Sequence, residues 1–466
     1  MTSPTKKAAK NEATKAAAMP SNVPAPLPTP VFENKSGLDA LFFNMLNQHD
    51  NGFHVIVAKT AFHIGPRGAD GYASLQAIEP PTLLATQDLH FDKNFQHSTL
   101  QESDLAPYKP QCDVIVVADA HAPAGKPVPQ FTVQLQVLPQ PPSPSTKANK
   151  SNQDALINKP LRISGPRSFS YQQQAWALSA PQAVLTVPLR YEYALGGACL
   201  VKADAEFAKR VPNSERLPAQ LDNGAIAWQV AESNPLGVGF CRQWYWQASQ
   251  INSSAAPQIE YPHTPYDVDA FQRCLQGGTI AAPAGFASIG RAWLPRRTLA
   301  GTVQTHWQAN EIPRLPKDFD FGYWNAAPLD QQCRHLTGGE VIRLVNLCPQ
   351  NHPACNVDAQ QNHLIDIALP KHACVLMAAV AANSASNPSN EAGLQIETLV
   401  IDTVHINLLE QRLELTWRLC LSCDDDITSM RLIYATKPEQ LARLAELQQV
   451  AADKAAKLVT KQKAGN

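Results

Sequence analysis

Residues Pro283 to Pro349 read PAGFASIGRAWLPRRTLAGTVQTHWQANEIPRLPKDFDFGYWNAAPLDQQCRHLTGGEVIRLVNLCP. No simple helix has this make-up. Pro295, Pro313, Pro316 and Pro328 each fix one backbone angle and remove a donor, so they set corners and edges between short extended pieces. Trp293, Trp307 and Trp324 stand among Arg291, Arg296, Arg297, Asp318, Asp320, Asp330, Arg334 and Glu340. Charge mixed with aromatics describes either a buried polar network or a binding face, and both readings stay open here.

Outward from this stretch the chain alternates as strands do. Phe53, Val55 and Val57 interleave with His54, Ile56 and Ala58, as in a strand buried on two faces. Val114–Val117 is another apolar run. Phe131, Val133, Leu135 and Val137 alternate with Thr132, Gln134 and Gln136, the pattern of a half-buried strand. Strands are also expected over Val184–Tyr193, Val341–Leu347, Leu364–Leu369, Leu394–Ile401, Val404–Leu408, Arg412–Leu421 and Met430–Tyr434. In Arg412–Leu421, the leucines and Trp417 face one way; Arg412, Glu414, Thr416 and Arg418 face the other. Leu38–Leu46 (LDALFFNML) reads as a short amphipathic helix or a collar. Leu441, Leu444, Leu447, Ala451 and Leu458 form a helical stripe, with Thr436 placed to cap it and Pro438 in the first turn. Residues 1–30 are too poor in large apolar side chains to bury a core and are expected to be a disordered tail. Pro141–Asp154 reads as a mobile loop. The fold expected is mainly β: a large antiparallel, sandwich-like assembly over 31–375, then C-terminal strands and a helix over 376–466.

Several strings carry a family resemblance. They are APYKPQCDVIVVADAHAP from Ala106, PLRISGPRSF from Pro160, VPLRYEYALGG from Val187, NPLGVGF from Asn234 and PQIEYP from Pro257. Within the central stretch, PAGF, WLPRR, PRLPKDFD, NAAPLDQQ and GGEVIRL follow in order. Together they resemble the domain-of-unknown-function 2169 family over roughly residues 50–370. The resemblance implies a non-enzymatic role in bacterial type VI secretion: an adaptor or chaperone that binds an effector toxin and helps load it onto spike proteins (VgrG or PAAR type). Two features depart from the family, the Pro141–Asp154 insert and Gly165-Pro166-Arg167, where an acid commonly precedes the arginine.

Composition fits that role without pointing to it. The 466 residues carry a net charge of −1, so no basic field draws nucleic acid or a membrane. Ten scattered cysteines, with a basic N-terminus that lacks an apolar run, suggest reduced thiols and a cytoplasmic protein. No G-x-S-x-G elbow, H-E-x-x-H, P-loop or dinucleotide fingerprint is present. Neither an enzyme nor a bound cofactor is expected. Cys420 and Cys423 lie three apart on a strand, so their thiols should diverge. Cys348, His352 and Cys355 share a loop but lack an evident fourth metal ligand. Asp318 and Asp320 fall on one face if extended, a spacing that serves acid–base work or, more often, a structural network. The candidate partner-binding residues are Arg296, Arg297, Trp307, Asp318 and Asp320. The competing readings are a hydrolase using Asp318 or Asp320, and a carbohydrate-binding β module using its tryptophans.

Overall fold

The computed structural model describes residues 29–140, 155–305, 308, 312–382 and 393–464, with side chains as far as 453. The expected tail (except residues 29 and 30), the Pro141–Asp154 insert and Trp307 lie outside the described residues, as does the side chain of Leu458.

The fold is mainly β, as expected. A seven-stranded sheet runs in the spatial order Asp39–Leu46, Gly52–Arg67, Arg412–Ser422, Val400–Asn407, Cys112–Val117 and Gln332–Cys333, with Ala73–Ala77 also paired to Gly52–Arg67. Its pairings are antiparallel except one: Val400–Asn407 lies parallel to Cys112–Val117, with His405 beside Ile115. A six-stranded sheet is ordered Ile259–Glu260, Ile157–Ser164, Gln130–Leu138, Val341–Val345, His363–Ala368 and Asn356–Val357. A four-stranded sheet is ordered Val31–Asn34, Ile427–Ala435, Ala373–Val380 and Gly393–Thr398. Strands from before and after residue 375 are therefore interleaved in the same sheets.

One continuous apolar core joins these three sheets, through residues such as Ile56, Val133 and Leu376. The strand reading of Phe53–Ala58 holds: Val55, Ile56, Val57 and Ala58 are wholly buried. Val133, Leu135 and Val137 point into the core, each worth about 1.5–3 kcal/mol of apolar burial. A second, smaller core lies between residues 169 and 275. There Phe169 stacks on Phe271 with ring centroids 4.2 Å apart, and Cys199, Cys241 and Trp244 pack nearby.

Several elements differ from the sequence reading. Asp39–Leu46 is a strand and not a helix, because it pairs residue for residue with Gly52–Lys59; tertiary pairing overrides the helix-forming Leu, Ala and Met. Val184–Tyr193 is broken into a single bridge from Val184 to Val128, the short strand Thr186–Pro188 and a 3₁₀ turn at Tyr191–Tyr193. The polar side of Arg412–Ser422 is not at the surface, since Glu414, Thr416 and Arg418 are buried too. The last helix spans Pro438–Ala464, and Leu441, Leu444, Leu447 and Ala451 along its stripe are half-buried. It sits against Gly393–Thr398, with Gln448 Nε2 donating to Thr398 Oγ1 (2.9 Å). At its start Gln440 Oε1 accepts from the amides of Thr436 and Lys437 (3.2 Å each).

Candidate functional site

Beyond the strand Gln332–Cys333, a buried acid fastens the central stretch to the seven-stranded sheet. Asp113 is wholly buried in the strand Cys112–Val117. Its carboxylate accepts from Asn325 Nδ2 (3.0 Å), Ala326 N (2.8 Å), Ala327 N (3.2 Å) and Lys109 Nζ (2.8 Å). A buried carboxylate is tolerated when charge and donors saturate it in this way. Five residues on, Gln331 Nε2 donates to the Val114 and Phe286 carbonyls. Lys159, buried in the six-stranded sheet, donates to Asp330 (2.8 Å) and Gln331 Oε1 (3.1 Å). Burial lowers the Lys159 amine to about 8, against the pull of Asp330.

Four of the five candidates from the sequence are described, and they meet in one substructure. The 3₁₀ turns Arg296–Ala300 and Phe321–Trp324 pack together, and Asp320 N donates to the Leu299 carbonyl (2.9 Å). Arg296 is 4% exposed and makes a two-pronged pair with Glu102, with Nη2 to Oε2 at 2.8 Å. Its Nε donates to the Tyr323 carbonyl (2.8 Å) and its Nη1 to that of Ile289 (2.7 Å). Arg296 therefore braces the fold. Arg297 is about half exposed and pairs with the equally exposed Glu232 at 2.8 Å, a contact worth at most about 1 kcal/mol. Asp320 caps the second turn by accepting from Gly322 N (2.7 Å). Asp318 accepts from Thr302 N (2.8 Å) and Thr302 Oγ1 (2.6 Å), and these bonds hold its carboxyl below the ordinary range.

The Asp318–Thr302 bonds close the neck of a loop. The chain leaves at Thr302 and returns at Pro316. Gly301 has φ +75°, and a Cβ there would lie 2.7 Å from Pro316 Cβ and 2.9 Å from Asp318 Oδ1. Only glycine fits that close approach. Val303 and Ile312, on the two arms, are 51% and 58% exposed. Arg314 reaches across to Asp50, beyond the strand Asp39–Leu46.

Behind the stretch lies a charged seam that the sequence reading missed. Lys59 pairs with Asp104 (2.5 Å) and Glu414 (3.2 Å), and all three are buried. Arg418 is bound by Asp402 and the Ala106 carbonyl. His405 Nε2 bonds the Leu100 carbonyl (3.0 Å), and burial lowers its pKa. A cavity of about 20 Å³ among Glu102, Asp104, Lys109, His405, Glu414 and Arg418 has room for one water and no organic substrate. The one sequence signal for this seam is the acid inside the apolar run CDVIVV (Cys112–Val117). Its partners come from too far along the chain to be matched by spacing.

The remaining motifs resolve separately. Cys420 Sγ donates to the Pro107 carbonyl (2.9 Å), whereas Cys423 Sγ lies 3.6 Å from His54 Nδ1, so the two thiols serve different neighbours. Among the described residues, no three His, Cys, Asp or Glu side chains are placed to hold a metal. His352 Nδ1 accepts from Ala354 N (3.1 Å) within its own loop. Arg167, without an acid before it, pairs instead with Glu260 (2.8 Å) and donates to the Pro257 carbonyl (3.0 Å). Among the described residues, no helix is long and apolar enough to cross a membrane.

Comparison with curated proteins and with solved structures returned no match. The model of a family described as uncharacterized proteins conserved in bacteria, DUF2169, matches residues 49–418. That match runs from just before the strand Gly52–Arg67 into the strand Arg412–Ser422, so it takes in the charged seam and the closed loop, and the chain belongs to the DUF2169 family.

Proposed function

We propose that this protein is a non-enzymatic, cytoplasmic adaptor or chaperone of bacterial type VI secretion, which binds an effector toxin and helps load it onto the secreted spike. The sequence resemblance supplies that role. The observation that carries it at the surface is the closed loop of the central stretch. Its neck is fixed by Gly301, Pro316 and the Asp318–Thr302 bonds, and it presents Val303 and Ile312 to solvent. A fixed neck reduces the freedom lost where the chain enters and leaves the loop, and the exposed apolar side chains of Val303 and Ile312 supply contact area. Arg297, beside the base and half exposed, adds a charge that a partner carboxylate can share. Asp318 and Asp320 favour this reading over hydrolysis, because Asp318 is already bound by the Thr302 amide and hydroxyl across the neck and Asp320 by the Gly322 amide of its own turn.

The test is co-expression with a type VI effector toxin and its spike protein, followed by capture on the tagged chain. The wild type should retain both. Val303→Asp with Ile312→Asp should lose the toxin by about tenfold or more while the melting temperature stays unchanged, since both side chains already face water. Capture of neither partner by the wild type would overturn the adaptor reading. Full capture by the double variant would remove the loop from it.

A further inference from the structure

The smaller core supports a surface that the adaptor reading does not use. The strand Ser168–Gln172 turns back into Ala175–Leu178 through only Gln173 and Gln174. Both have left-handed φ, +49° and +65°. Two-residue hairpin loops of this hand favour Asn-Gly, because a Cβ is crowded there. Glutamine at both positions accepts backbone strain to present two amide side chains, and strain of this kind gathers at sites of use. Gln172, Gln173, Gln174 and the nearby Gln247 are all exposed.

Behind the turn stands an aromatic group. Tyr171 lies opposite Trp176 across the hairpin, and Trp246, from the helix Gln243–Ser249, completes a triangle. The ring centroids are 5.3 Å (Tyr171–Trp176), 5.0 Å (Tyr171–Trp246) and 5.2 Å (Trp176–Trp246) apart. Trp176 also meets buried Phe271 edge-on at 4.8 Å, which anchors the group in the core. Tyr171 is 42% exposed, and both tryptophans are half-buried.

The two segments that carry these side chains narrow what the face can hold, although exposed Asp269 and Arg273 stand on the helix Val268–Leu275 packed against Ala175–Leu178. Residues 168–189 and 243–259 contain no Asp, Glu, Lys, Arg or His, in a chain that is 17% charged. Aromatic faces receive flat C–H surfaces. Glutamine amides donate and accept at once, as sugar hydroxyls do. Protein interfaces of comparable aromatic content draw on arginine as well, and these two segments offer none. The geometry points to a binding site for a neutral oligosaccharide on Tyr171, Trp176 and Trp246, with Gln172, Gln173 and Gln174 as its hydrogen-bonding rim.

The full-length chain is titrated with maltohexaose, cellohexaose and chitohexaose by calorimetry and by tryptophan fluorescence. Saturable binding of at least one is expected at millimolar concentration or below. Tyr171→Ala should weaken it by about tenfold or more. The double variant Gln173→Gly with Gln174→Gly should also weaken it, while its melting temperature holds or rises, because glycine relieves the left-handed turn. A merely structural turn would gain stability and leave binding untouched. Silence with all three sugars overturns the proposal, as does binding that neither variant changes. If the sugars stay silent and the same variants lose a co-expressed effector toxin, the face is a protein-docking surface and the sugar site is likewise overturned. This proposal and the adaptor reading fail separately, since the closed loop carries none of these residues.

Discussion

The two larger cores among the described residues are held by different physics. In the three-sheet core, cations are buried and paired: Lys59 with Asp104 and Glu414, Lys109 with Asp113, Arg296 with Glu102, and Arg418 with Asp402. In the smaller core, the organising contacts are ring on ring, with Phe169 against Phe271 at 4.2 Å and Tyr266 edge-on to Phe169 at 5.6 Å. Apolar packing tolerates exchange of one side chain for another of similar volume. A buried ion pair does not, because removing one partner strands the other in a medium of low polarity. The difference suggests a division of labour: the seam sets one arrangement of the central stretch against the sheet, and the aromatic lobe supplies bulk.

The largest effect should come from Asp113→Ala. It strands the Lys109 amine and three donors of the central stretch, so a loss of about 3–5 kcal/mol is expected in equilibrium urea unfolding. Asp113→Asn should recover part of it. A loss below about 1 kcal/mol would break the distinction between the two cores.

Lys159, which holds Asp330 and Gln331 of the central stretch, should make stability depend on pH in the alkaline range. Its amine titrates at about 8 in the folded protein against an ordinary 10.5. Between those values the unfolded chain binds more protons than the folded one, so stability rises with pH across that window. Below the window both states are charged and the cost of burial is carried in full. The rise should approach about 1.4 kcal/mol per pH unit at its steepest. Lys159→Met should abolish that contribution and match or exceed the wild type at pH 7 by about 1–3 kcal/mol, Asp330 being partly exposed and free to hydrate. An identical pH profile in the variant would show that the amine is not buried as described.

The smallest effect is expected in the lobe. Phe271→Leu keeps most of the apolar volume and should cost about 1–1.5 kcal/mol. Combined with Asp113→Ala, the two losses should add to within about 0.5 kcal/mol, since Phe271 lies in the smaller core and the groups that bond Asp113 lie outside it. A larger coupling would mean the two cores act as one.

How much of this could be read beforehand follows the same divide. The strands around Val55, Val133 and Leu415 were legible, because alternation over several residues is a local signal. The Pro-fixed corners of Pro283–Pro349 were legible for the same reason. Asp39–Leu46 misled because its leucines and methionine suit a helix until the neighbouring strand claims them. The seam was illegible because Lys59 and Glu414 lie 355 residues apart, and nothing local tells a strand's polar face from a buried one. Arg296 and Asp320 stood out as charge among aromatics, yet sequence could not say that one braces the interior and the other caps a turn. The Tyr171–Trp176–Trp246 group escaped notice because its rings come from a hairpin and a helix that meet only in the folded chain.

The place of Arg412–Ser422 between Gly52–Arg67 and Val400–Asn407 also fixes the order of events during synthesis. The strand Gly52–Arg67 leaves the ribosome long before its central neighbour exists. At roughly 5–20 residues per second, the wait is on the order of tens of seconds. Until residue 422 has emerged, a sixteen-residue strand whose run Val55–Ala58 is apolar on both faces has an open edge, the condition under which nascent chains cross-pair or recruit chaperones. Slowing translation should therefore lower the yield of native protein, and a circular permutant that places residues 400–435 ahead of residue 52 should raise it.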